Sequence, residues 1–341
     1  MLKSGKILAV AALLFAIMIG GQAQAQTLPF DETFTHPTAG EITYGDISLP
    51  YGDFISYSLP ILAYWYDYEN GGGTGPTNPF YVGSTPGAIK DFIVVATGAT
   101  GTDLNTNVDG IENAYATPNN DKDVYSFSTG TFPDPVNTTT TNPLGDQAHT
   151  WDADLAALTA FLDGGNLLWM FNNNDTDKGD NQDILVWALV TVWSSKDAGL
   201  APINYEFTNT YAGGVANGAF DGAYEQVLSG GEVCVSAAGF QVPCTDPYVE
   251  KIQHNLGANQ VAYAVTAPDL NDFLRNWTPN SVYDTLSLDL RLNNIDNGYE
   301  QLFIISSKSD IPPPPIPEPS TLLLLGSGLV GLGLIGYRRR K

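Results

Sequence analysis

The sequence predicts a mainly β fold, an antiparallel β-sandwich or jelly-roll-like body with two or more helices, and three observations carry that reading. Leu286, Leu288, Leu290 and Leu292 alternate with Ser287, Asp289, Arg291 and Asn293, the period of a strand with one buried and one wet face. Short apolar runs recur between segments rich in Gly, Pro, Asn, Asp and Thr, the pattern of many strands joined by turns. The chain is 43% hydrophobic and 11% aromatic, enough for a core despite a net charge of −23. No repeat of fixed period is evident, which argues against solenoids and propellers.

In chain order, Phe54, Ile55, Tyr57, Leu59, Ile61, Ala63 and Trp65 follow a rough alternation, with Tyr64, Tyr66 and Tyr68 on the other parity. Strands with aromatics on both faces are expected over 53–68, because Pro60 opposes a long helix through the middle. Residues 91–98, with Phe92, Ile93, Val94 and Val95, read as a short buried strand. Asn, Asp, Thr and Pro dominate 110–150, which reads as an exposed loop or as a subdomain boundary near 130–150. A helix is predicted over 151–163: Asp152 or Thr150 caps it, Leu155, Leu158, Phe161 and Leu162 recur at helical spacing, and Gly164 and Gly165 stop it.

Residues 167–171 read as a strand, and 184–193, apolar on both parities, as a central one. A second helix is expected over 268–277, with Pro268 in its first turn and Leu270, Phe273, Leu274 and Trp277 as its apolar stripe. Asn297 and Gly298 mark a turn, so residues 299–306 are expected to return beside 286–293 as an antiparallel hairpin.

The two ends differ from the body. Lys3 and Lys6 give a positive start, residues 7–19 are apolar without a charge, and Ala23 and Ala25 stand where a signal peptidase reads. This is the pattern of a secretory signal peptide, handled by the Sec export machinery and signal peptidase, and the mature chain is expected to begin near Gln26. At the other end residues 311–316 form a proline-rich spacer that favours polyproline II. Residues 321–337 are uncharged and mostly Leu and Gly, and would rise about 25 Å as a helix, at the short limit for a bilayer. Arg338, Arg339, Arg340 and Lys341 act as a basic stop on the cytoplasmic side, leaving the body outside the inner membrane. The organisation expected is a signal peptide at 1–25, a β-rich extracellular body at 26–310, a Pro-rich arm at 311–320, and a transmembrane helix with a basic tail at 321–341.

Pro317, Glu318 and Pro319, followed by Ser320, Thr321, a Leu run, a Gly-rich apolar segment and the final Arg cluster, resemble the PEP-CTERM sorting signal in order and spacing. The resemblance covers residues 317–341 and implies recognition by exosortase, an integral-membrane transpeptidase-like enzyme that cuts near Pro317, Glu318 and Pro319. It implies transient residence in the inner membrane and then release or transfer to the cell surface or outside, in bacteria that make exopolysaccharide, biofilm or floc.

Between the two signals the body holds 8 basic and 36 acidic residues, a formal charge of −28. Such a surface repels phosphate backbones and anionic lipid, which excludes nucleic acid as a partner. Cys234 and Cys244 are the only cysteines, and export takes them to an oxidising compartment. A structural disulfide is expected, contributing about 2.5–3 kcal/mol on chain-entropy grounds, with two buried thiols as the alternative.

One loop could hold a cation. Asp175, Asp177, Asp180 and Asp183 lie close together between two predicted strands, and Ca²⁺ takes six to eight hard oxygens from a turning backbone. The spacing departs from an EF-hand loop, and a solvated turn is the competing reading. His36, His149 and His254 are far apart, and no HExxH, GxSxG or Walker-type loop occurs, so no catalytic residue is assigned. Tyr64, Trp65, Tyr66 and Tyr68 suit sugar stacking or the core and edge of a strand. The function expected is a non-enzymatic surface or matrix protein processed by exosortase and linked to exopolysaccharide or biofilm. A carbohydrate- or calcium-binding adhesin module is the first alternative, and a secreted polysaccharide-active hydrolase the second.

Overall fold

The leucine alternation at 286–292 forms the axis of one sheet in the computed structural model, which describes residues 48–83, 93–97, 107–116, 122–126, 143–172, 185–207, 225–226, 233–237, 241–242, 244–252, 261–295 and 301–307. All of these belong to one compact unit, Ala25–Ser309. The fold is mainly β, with antiparallel sheets and three helices among the described residues. Numbering strands and helices in chain order, strand β15 (Thr285–Ile295) pairs along one edge with β8 (Leu185–Trp193) and along the other with β6 (Trp151–Asp154) and then β5 (Lys122–Ser126). The far edge of β8 carries β9 (Ile203–Phe207) and β10 (Glu225–Gln226). These six strands make one sheet.

A second sheet runs in the order β1 (Ser48–Tyr51), β2 (Phe54–Ser58), β14 (Tyr263–Thr266), β7 (Leu167–Asn172), β16 (Gln301–Ser306), β3 (Ile93–Thr97) and β4 (Tyr115–Ala116). Every neighbour pair in it is antiparallel except β3 with β4. The two sheets contribute to a single apolar core, with Phe54, Trp169, Val265 and Leu302 from one and Val186, Val190, Leu288 and Leu290 from the other. Leu286, Leu288, Leu290 and Leu292 are at most 2% exposed. Each such burial stabilises the fold by roughly 1.5–3 kcal/mol, which is what fixes the register of β15.

Pro60 does not keep 53–68 extended. The strand stops at Ser58, and α1 (Leu59–Asn70) begins there, with Pro60 in its first turn. The physical reason is that a first-turn N–H lies outside the helical ladder, so proline costs nothing there and its fixed φ helps. Ser58 caps the helix by accepting from the Ile61 N–H at 3.4 Å, and Gly71 ends it with φ 72°. The helix expected over 151–163 is also split. Trp151–Asp154 is strand β6, held by β15, and only Leu155–Leu162 is helix α2. Neither Asp152 nor Thr150 caps it: Asp154 holds the cap position and makes no side-chain cap bond there. Left-handed backbone at Asp163 and Gly164 ends it. Helix α3 (Pro268–Asn276) follows the expectation, burying Leu270 and Leu274.

The hairpin expected at the end of the body is absent. β15 and β16 lie in different sheets, and β16 pairs with β7 and β3. All six residues of β16 are buried, so it needs cover on both faces and partners on both edges, which a place beside β15 would not give. The face of β15 expected to be wet is also largely covered. Ser287 is 3% exposed, and Arg291 pairs with Asp289 at 2.8 Å while lying 4.3 Å from the Trp187 ring centre. Among the described residues no helix is long and apolar enough to cross a membrane. The expected signal peptide, arm, transmembrane helix and basic tail lie outside the described residues.

Candidate functional site

Acidic side chains meet on the outer side of β6. The sequence Trp151, Asp152, Ala153, Asp154 alternates, so Trp151 and Ala153 enter the core while Asp152 and Asp154 face away from it. Trp151 is fully enclosed, meets Trp169 edge-on and donates from Nε1 to the Glu112 carbonyl at 3.2 Å. Residues 110–112 run beside β6: the Glu112 N–H donates to the Asp152 carbonyl at 2.9 Å, and the Asp154 N–H donates to the Gly110 carbonyl at 2.7 Å. Gly110 has φ +80°, and a Cβ there would lie 2.9 Å from Asp154 Oδ2, so glycine is required on both counts.

Asp152 and Glu112 are both fully buried. The Asp152 N–H donates to Glu112 Oε2 at 2.8 Å. Asp152 Oδ2 accepts from the Gln147 N–H at 2.7 Å and from Thr150 Oγ1 at 3.1 Å. Asp152 Oδ1 accepts from Ser287 Oγ, its cross-strand neighbour, which in turn accepts from Trp193 Nε1 at 2.7 Å. Asp154 Oδ1 accepts from the Leu144 N–H at 2.7 Å. Two carboxylates thus hold the 143–150 loop down over the sheet by its backbone. Gly145 is pressed against Thr285 and Trp193, where a Cβ would come within 2.4 Å and 2.8 Å of their side chains. Asp284 fastens the next loop, accepting from the Ser195 N–H at 2.8 Å and from Ser195 Oγ at 2.9 Å, with Lys196 at 3.3 Å.

The electrostatics follow from enclosure. Burial pushes the Asp152 carboxyl up to about 7, against hydrogen bonds from Ser287, Gln147 and Thr150 and with help from the nearby Asp146 charge. Burial also raises Asp154, opposed by the Leu144 N–H. Burial pulls Asp284 up as well, but the Ser195, Thr285 and Lys196 donors outweigh it and hold this carboxyl below its usual value. One oxygen from each of Glu112, Asp146 and Asp152 lies within 4.8 Å of the others, a spacing a hard cation tolerates. Calcium takes six to eight oxygens, however, and here both Asp152 oxygens and Glu112 Oε2 already receive protein donors. The arrangement is a structural latch, an enclosed carboxyl that ties the 143–150 loop to the sheet and whose titration burial raises well above the usual carboxylate range.

Sequence-predicted residues fare unevenly. Cys234 and Cys244 form the expected disulfide, with Cα atoms 5.2 Å apart. It joins β11 (Val233–Val235) to the segment after β12 (Gln241–Val242) in a three-stranded sheet completed by β13 (Glu250–Ile252). Asp175, Asp177, Asp180 and Asp183, and the sorting residues Pro317, Glu318, Pro319, Arg338, Arg339, Arg340 and Lys341, lie outside the described residues. Helical spacing over 151–163 makes Asp152 a cap candidate and so hides the latch; the alternation from Trp151 to Asp154 signals that Asp152 and Asp154 share a face, though not what they meet. Tyr64, Trp65, Tyr66 and Tyr68 lie on α1 rather than on a strand, with Tyr64 packed on Ile61, Val235 and Ile252.

Residues 34–291, more than half of the chain, match the family described as a domain of unknown function (DUF8239), and the chain belongs to it. Residues 315–341 match the PEP-CTERM protein-sorting motif, which marks the chain as an exosortase-sorted protein destined for the cell surface or the outside. No curated protein and no solved structure matches the chain.

Proposed function

We propose that this family member is a non-enzymatic protein of the cell surface or extracellular matrix, anchored in the inner membrane until exosortase frees it and linked to exopolysaccharide or biofilm. The observation that carries the reading is the sorting motif at 315–341, which begins within the proline arm and ends in four cations. The body supports it in three ways. Glycosidase chemistry needs two carboxyl groups about 5–10 Å apart flanking an accessible bond, whereas Glu112 and Asp152 are enclosed and bonded to the backbone. The two sheets that share one apolar core read as a β-sandwich, an architecture common in extracellular modules. The Cys234–Cys244 disulfide suits an oxidising compartment.

The test is to delete exosortase, or to replace Pro317, Glu318 and Pro319 by Ala, and to follow the protein by fractionation and intact mass. A longer, membrane-retained form ending at Lys341 is expected in both cases. Normal amounts of tail-less extracellular protein from the replaced tripeptide would overturn the sorting role.

A further inference from the structure

A second place in the body is open where the latch is sealed. Beside α1, the loop of residues 71–82 crosses toward β13 and leaves a groove of about 240 Å³ lined by Tyr64, Thr74, Phe80, Tyr81, Glu250 and Lys251, among others. The loop is built to hold its shape. Gly71, Gly72 and Gly73 take φ of 72°, 108° and 82°, a left-handed run that only glycine adopts cheaply. Buried Asn78 donates to the Ala63 and Gly73 carbonyls at 2.9 and 3.0 Å and accepts from the Phe80 N–H at 2.9 Å. Asp67 on α1 accepts from the Gly73 N–H at 2.7 Å. Residues 71–77 are exposed or half-exposed, so core burial does not account for this order.

The opposite wall is equally fixed. β13 pairs with β11, whose Cys234 carries the disulfide, and Val235 and Ile252 pack on Ile61 and Tyr64. The Tyr64 phenol is raised by burial and then by the Glu250 carboxylate beside it. Among the described residues six large apolar or aromatic side chains stand exposed, and three of them, Tyr68, Tyr248 and Val249, belong to the two segments that flank this groove. Preorganised walls, aromatic rings and charged groups of both signs in one surface depression are what an amphipathic ligand needs.

We propose that this groove binds one ring of a neutral polysaccharide, with the apolar face of the sugar on the tyrosines and its hydroxyls on Glu250, Lys251 and Thr74. Pockets for drug-sized ligands start at about 300 Å³, so this groove takes a single ring. A body charge of −28 disfavours uronic-acid polymers, and the adjacent Glu250 and Lys251 nearly cancel at the groove itself. The proposal deepens the matrix reading and rests on it only for the source of the glycan.

The test uses the full-length chain purified in detergent, titrated calorimetrically with cellohexaose, mannohexaose, a dextran oligosaccharide and an alginate oligosaccharide. At least one neutral oligosaccharide is expected to bind. Tyr64→Ala and Tyr81→Ala should each weaken it about tenfold or more. Glu250→Gln, which keeps the apolar packing, should weaken it in the same direction, while Val282→Ala, on an exposed position in the segment after α3, should change nothing. Binding to none of the neutral sugars, preference for alginate, or full binding by Tyr81→Ala and Glu250→Gln with unchanged melting would overturn the proposal. Because purified protein is used, none of these outcomes depends on whether exosortase processes the chain.

Discussion

The latch around Asp152 and the groove beside α1 use similar residue types to opposite ends. Both combine acids, tyrosine or tryptophan rings and a loop that needs glycine, yet Asp152 and Glu112 are fully enclosed while Glu250 and Lys251 are exposed. In the latch both Asp152 oxygens and Glu112 Oε2 are turned onto backbone or hydroxyl donors of the chain itself. In the groove the loop is pinned from behind by Asn78 and Asp67, so its front stays open. The difference teaches that an acidic cluster is not a site by composition. What decides is whether the protein's own donors already satisfy it.

The largest expected effect breaks the latch. Asp152→Ala leaves the Gln147 N–H and the Thr150 and Ser287 hydroxyls without their shared acceptor, and should destabilise the body by about 3 kcal/mol or more. Chemical denaturation checks this, and sugar binding at the groove, measured below the transition, should be unaffected. A loss of binding without a loss of stability would contradict the separation of the two regions.

The same residue gives a pH dependence with a definite sign. The Asp152 carboxyl titrates near 7 in the folded chain against an ordinary value near 3.8. Its contribution is therefore fully present below about pH 4 and is lost as pH rises through 7, by a few kcal/mol at most. Asp284, held low, works the other way, since its contribution falls away as pH drops below the usual carboxylate range. Melting of Asp152→Asn minus that of the native chain isolates the first term. The difference should move in favour of the variant between pH 5 and pH 8, and a flat difference would show that Asp152 is not held protonated.

Reducing the disulfide sharpens the comparison from the groove side. It should cost about 2.5–3 kcal/mol at most and loosen the wall formed by β11 and β13, so sugar binding falls while the latch persists. Smaller still, Gly145→Ala must push Thr285 or Trp193 aside and should cost about 1–3 kcal/mol without touching the groove.

Local periodicity made part of this fold legible. The alternation from Leu286 to Leu292 and the stripe from Leu270 to Trp277 are set by near neighbours, and both elements form where expected. β16 was legible as a strand but not in its pairing, because Asn297 and Gly298 suggest a hairpin while burial on both faces sends the strand to the other sheet. Pro60 misled for a similar reason: its meaning depends on whether it falls in a helix interior or a first turn, which Ser58 decides. The latch joins residues 112, 147, 152 and 287, and the groove joins residues 64, 74, 81 and 250. No pattern within a window of the sequence encodes either meeting. The tail is the reverse case, legible from the sequence because PEP-CTERM recognition acts on a contiguous segment.

The most direct test of the central claim, that the chain is exported and then cut at its sorting segment, is intact mass spectrometry of the extracellular protein from unmodified cells. The predicted species begins near Gln26, ends close to Pro317 with the basic tail gone, and carries one disulfide between Cys234 and Cys244. An extracellular chain that keeps Lys341, begins at Met1 or shows two alkylatable thiols without reductant would contradict it.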